Sequence, residues 1–186
     1  MQNIAYRTSL AHRIANALAG TVCHEEIIGD YATWLNWHDG DDQNSTAARC
    51  DYKMIDTDFF LPIALKKYFV DFPGGRERKA SFFNTTATIL PQNTGITYTH
   101  QAAWTAEKIM RIAAPFAENP VKENLLRLND GESVGQWRDS NNGLGGGRIP
   151  YDVNTALVPA GLRAIAALSR DDFFVDDQDW GTLADK

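Results

Sequence analysis

Apolar residues recur along this chain at helical spacing, and the segments between them are polar and rich in glycine and proline. Over residues 6–18, Leu10, Ile14, Ala17 and Leu18 fall on one side of a helix. A second helix is expected to include Ile27, Ile28, Tyr31, Trp34 and Leu35, ending before the turn signal Asp39-Gly40-Asp41-Asp42. A third carries Leu61, Ala64, Leu65, Tyr68 and Phe69, capped by Asp56 or Asp58, with Asp58 the preferred cap. Pro62 falls near its first turn, where proline is tolerated, and Pro73-Gly74-Gly75 stops it. Residues 76–89 read as another helix, weakened at its far end by Thr85, Thr86 and Thr88.

The strongest helix is expected over 99–117. Ala102, Ala106, Ile109, Ala113 and Phe116 form one stripe at i, i+4, i+7, i+11 and i+14. Asn119-Pro120 ends it, and Leu125, Leu126 and Leu128 mark a shorter helix. The last runs from about residue 154 to 168, with Leu157, Gly161, Ala164, Ile165 and Leu168 on one side, and Pro159 should start or kink it. Strand-like alternation is nearly absent. The expected fold class is all-α, one helical domain over residues 1–186 whose carboxylates gather in the loops. Paired helices with functional loops at one end fit a helical toroid.

Composition narrows the partners. Hydrophobic residues make up 44% and charged residues 23% of the chain, so a folded core rather than disorder is expected. A net charge of -6 repels phosphate backbones, which argues against nucleic acid but not against neutral sugars. No apolar run approaches the roughly 20 residues that span a bilayer, so no membrane partner is expected. The first residues lack the basic start and apolar centre of a signal peptide. The chain is thus intracellular or an internal piece of a longer precursor. Cys23 and Cys50 fit either one disulfide or two free thiols. With the glycosylation tripeptides Asn44-Ser45-Thr46 and Asn84-Thr85-Thr86, they tilt the balance toward secretion.

Three constellations carry candidate chemistry. In His24-Glu25-Glu26-Ile27-Ile28-Gly29-Asp30-Tyr31, Glu26 and Asp30 share a face if both lie on one helix, a repulsive pairing unless a ligand compensates. Acids at a solvated helix start explain the segment equally simply. One histidine among acids lacks a strong metal-ligand spacing, so no metal is assigned. In Asp51-Tyr52-Lys53-Met54-Ile55-Asp56-Thr57-Asp58, one acid can cap the next helix, while Asp51 and Lys53 can bind hydroxyls or pair with each other.

The third is Gly135-Gln136-Trp137-Arg138-Asp139-Ser140, followed by a loop with four glycines. Indole faces pack against the C–H faces of pyranose rings, and glycoside cleavage needs positioned carboxylic acids. Burial beside Trp137 would raise the Asp139 pKa and suit it to donate a proton; pairing with Arg138 would lower it. Arg138 serves binding if it grips substrate instead. The glycines let backbone approach a ligand closely. They lack the Gly-Lys-Ser/Thr ending of a phosphate loop. Asp152 fits a helix cap or a polar pocket wall. Trp34 and Trp37 are candidate sugar platforms, Trp34 equally a core residue.

Val22-Cys23-His24-Glu25-Glu26-Ile27-Ile28-Gly29-Asp30, Asp51-Tyr52-Lys53-Met54-Ile55-Asp56 and Gly135-Gln136-Trp137-Arg138-Asp139-Ser140 together resemble six-hairpin glycosidases, most of all the glycogen-debranching-like group. Arg148-Ile149-Pro150-Tyr151-Asp152-Val153-Asn154, with the alanine-rich helix after it, adds to the likeness. The resemblance implies an (α/α)6 toroid with its site at the barrel mouth, and inverting hydrolysis by an acid and a base on opposite sides of the sugar. It assigns the acid to Asp139 and places Glu25, Glu26, Asp51 and Asp56 along the sugar site. The helices expected here make about half of such a barrel. It therefore implies a partial barrel, completed by a second chain or segment, with the base outside this chain or else Glu26. No cofactor is required. The competing readings are a non-catalytic sugar-binding helical domain and an interaction module whose acidic loops bind calcium or a basic partner.

Overall fold

A computed structural model describes residues 2–40, 45–138, 140–144, 146–174 and 179–185. The elements run α1 (Gln2–Ala15), β1 (Glu25–Ile27), α2 (Gly29–His38), β2 (Arg49–Asp51), α3 (Asp56–Lys66), α4 (Lys79–Phe83), α5 (Tyr98–Glu118), α6 (Asn154–Arg170) and α7 (Trp180–Leu183). The fold is mostly helical, compatible with the expected all-α class, and it carries one short ribbon besides. β1 and β2 pair as an antiparallel ribbon in the register Glu25↔Asp51, Glu26↔Cys50, Ile27↔Arg49. Adjacent β-branched Ile27 and Ile28 favour extended backbone. Gly29, at a φ of 68°, then turns the chain into α2. Glu26 and Asp30 therefore lie on different elements, and their expected shared helix face does not form.

The core is built where the stripes meet. α3 packs chiefly on α6 and touches α1 and α5. All five α6 positions expected on one side, from Leu157 to Leu168, are buried. The closest approach is at Gly161, where an added Cβ would lie 2.9 Å from Phe59 Cδ1. A π-helical turn over Lys67–Asp71 follows α3 and buries Tyr68 and Phe69. The Phe69 ring lies 5.1 Å from both Phe82 and Phe83 and 5.7 Å from Phe173, an aromatic cluster that joins α4 to the chain after α6. Phe173, Phe174 and Trp180 are buried, and the rings of Phe174 and Trp180 meet at 5.1 Å.

Two expected helices are cut down. The one proposed over 76–89 is a 3-10 turn at Arg76–Arg78 followed by α4, which ends at Phe83 before the threonines. The leucines at 125, 126 and 128 follow a single turn at Lys122–Asn124 and are not helical. The α5 stripe is buried as far as Ile109, but Ala113 is half-buried and Phe116 exposed. There it lines an apolar groove of about 560 Å³ with Leu125, Leu126, Val158 and Leu162. Cys23 and Cys50 are free thiols; Cys23 is buried and Cys50 half-buried. Asn84 is exposed, whereas Asn44 lies outside the described residues. Among the described residues no helix is long and apolar enough to cross a membrane.

Candidate functional site

The first and second constellations meet through the ribbon. His24 N donates to Asp51 O at 2.8 Å, directly beside the Glu25↔Asp51 pair. Successive strand residues face opposite sides. Glu25 and Asp51 consequently share one face, and Glu26 shares the other with Cys50. Glu26 lines a cavity of about 650 Å³ together with His12, Arg13, Asn16, Cys23 and His24. Its Oε2 lies 2.5 Å from His12 Nε2, a contact from α1 that no sequence spacing announces.

The Asp51 carboxylate accepts the Lys53 N–H at 2.9 Å and pairs with Lys53 Nζ at 2.9 Å, as its neighbour in the sequence allowed. Burial alone would raise this carboxyl, but the Lys53 amide and ammonium outweigh it and hold it below its ordinary value. Burial pushes the Cys23 thiol up, and the neighbouring Cys50 thiol adds to the effect.

The third constellation joins at α3. Ile55 N donates to Gly135 O at 2.9 Å, and Asn129 Nδ2 donates to Lys53 O at 3.0 Å. Gly135, at a φ of 144°, lies so near that an added Cβ would meet Lys53 O at 2.6 Å. This glycine therefore serves close approach between two chain segments. Asp56 opens α3, where the backbone amides of Trp137, Asp56 and Thr57 favour its charged form. Burial nevertheless pushes its carboxyl above the ordinary value. Asp58 is not the cap it was expected to be. It is 0% exposed, accepts the Val22 N–H at 2.7 Å and pairs with Lys108 Nζ at 2.6 Å. Through the Val22 hydrogen bond, Asp58 ties the segment just ahead of β1 to α3.

Beyond α3 the site opens to solvent. Trp137 is 58% exposed, with the Arg138 guanidinium carbon 5.4 Å from its ring centroid. Arg138 Nε donates to Asp152 Oδ2 at 3.1 Å. Asp152 is therefore engaged by Arg138, and the residue capping α6 is Val153 rather than Asp152. Asp139, the expected acid, lies outside the described residues. Gln136 and Asn154 are buried, and their side-chain amide atoms have no hydrogen-bond partner among the described residues. Arg148 donates to the carbonyls of Glu132, Leu128 and Asn129 and staples the glycine loop to the preceding segment.

Asp30 and Trp37 are exposed on α2. Asn36 ties that helix to the carbonyls of Ser45 and Ala47, and Asp39 pairs with Arg49 at 2.8 Å. Trp34 is 48% exposed, so it is not core; it stacks between Tyr31 and His38 at centroid distances of 6.0 and 4.9 Å. His12 and Lys108 are contributors that the sequence does not announce, and His24, weighed there only as a weak metal ligand, is a third. His24 alone had a local signal, its place beside Glu25. Comparison with protein-family models, with curated proteins and with solved structures finds no match.

Proposed function

We propose that this chain is part of an (α/α)6 glycoside hydrolase that cleaves an α-linked glucan or oligosaccharide by acid–base hydrolysis with inversion. The observation that carries the reading is the meeting of three carboxylate-bearing segments far apart in the chain. His24 joins Asp51, Ile55 joins Gly135, and Asp56 joins the Trp137 amide. Those are the segments in which the resemblance to six-hairpin glycosidases resides. In this reading Asp139 donates a proton to the leaving glycosidic oxygen. Glu26, oriented by His12, or a carboxylate from outside the chain, activates water on the opposite side. Trp137 offers an exposed indole face for a sugar ring, and Lys53, Arg138 and Asp152 supply polar contacts to hydroxyls. The open apolar groove beside Phe116 and Leu162 supports a partial barrel that a second chain or segment completes.

The exposed row of Tyr31, Trp34 and His38, with Trp37 beside it, favours a second reading, a non-catalytic sugar-binding domain. A reducing-end assay on soluble α-glucans, run beside a calorimetric binding titration, separates the two. Release of reducing sugar supports hydrolysis. Binding without release supports the second reading, and neither binding nor release overturns both.

A further inference from the structure

Three metal-ligand side chains gather at the end of the ribbon. One ligand atom from each of His24, Glu25 and Asp51 lies within 4.8 Å of the other two. Their backbones are fixed by the Glu25↔Asp51 pair and the hydrogen bond from His24 N to Asp51 O. Ligand atoms on one zinc ion lie about 3.4 Å apart, given bonds of about 2.0–2.2 Å and tetrahedral angles. Small side-chain rotations close that difference, and Glu25 is exposed and able to make them. A separate observation also points to a ligand. His24 Nδ1 is shielded from solvent yet has no hydrogen-bond partner among the described residues. An unpaired atom of this kind keeps its desolvation cost, which a bound ligand would relieve.

We propose that His24, Glu25 and Asp51 bind one divalent transition-metal ion of the zinc class. The donor set decides the class. An imidazole nitrogen beside two carboxylates suits zinc and its first-row neighbours, whereas calcium takes oxygen ligands only. Three protein ligands leave a coordination position open, as in catalytic rather than structural zinc sites. Lys53 is the competitor, because its ammonium sits 2.9 Å from Asp51 Oδ2 and must swing aside for the ion. The site accordingly binds with reduced affinity while Lys53 is present. The inference does not rest on the glycosidase reading, since the ion is measured without carbohydrate.

The test is calorimetric titration of chelator-treated protein with zinc chloride. One ion per chain is expected. Glu25→Gln and His24→Ala each weaken binding at least about tenfold, a loss that even outer-shell partners of a metal cause. Lys53→Met tightens binding. Glu25 is exposed, so its isosteric variant leaves folding intact, as circular dichroism checks. Absence of zinc binding, or wild-type affinity in Glu25→Gln, overturns the proposal. Calcium binding as tight as zinc overturns the assigned class. Equal weakening by His12→Ala would move the ion to the cavity shared by His12 and Glu26 and overturn the assignment to this cluster.

Discussion

Replacing Lys108 with methionine removes the cation that neutralises Asp58 while keeping the length and apolar stem of the side chain. Lys108 Nζ lies 2.6 Å from Asp58 Oδ2 and 2.8 Å from Thr21 Oγ1. The carboxylate it leaves is 0% exposed and keeps the Val22 N–H as a donor at 2.7 Å. Removing one member of a buried pair costs about 3–5 kcal/mol, because the other charge remains desolvated. Against a total stability of about 5–15 kcal/mol, that is a large share. Urea unfolding at pH 7 measures it. The pH dependence has a definite sign. Burial already lifts the Asp58 carboxyl with lysine present, and loss of the cation lifts it further. A raised acid in the folded state binds protons that the unfolded chain has released, so stability falls as pH rises through that window. The deficit of Lys108→Met is therefore smaller near pH 4.5 than at pH 7. A loss below about 1 kcal/mol, the size of an exposed pair, or a loss independent of pH, refutes the reasoning.

Gly161→Ala is expected to destabilise the protein by about 1–3 kcal/mol, because the new methyl would lie 2.9 Å from Phe59 Cδ1 and overpack the α3–α6 contact. At an exposed helical site the same change would instead stabilise by about 1 kcal/mol, so the sign seen in thermal unfolding decides. Asp56→Asn probes the other buried acid. Its carboxyl is raised from 3.8, so wild-type stability should fall relative to the variant as pH climbs from that value; a relative gain would contradict it.

The helices that pack on both of their neighbours were the legible part of the fold. In α6 every apolar position expected on one side is buried, because the stripe and the contact with α3 coincide. In α5 the same kind of stripe outruns the core, and Phe116 ends in an open groove. The ribbon escaped notice because three-residue strands are too short for alternation to register. Asp58 departs from the expected cap for a related reason. A cap is a local event, whereas its partner Lys108 is 50 residues away. The order of the acidic motifs was visible in the chain, and their meeting follows from long-range bonds that no spacing encodes. The ribbon then divides Glu25 from Glu26, which adjacency in sequence conceals.

The chemistry claimed for the site rests on Asp139 as proton donor. The most direct test compares the turnover of wild type and Asp139→Asn on soluble α-glucans, with circular dichroism confirming the fold. A drop of at least about a hundredfold is expected, the scale of general-acid catalysis. Turnover equal to wild type would contradict that role.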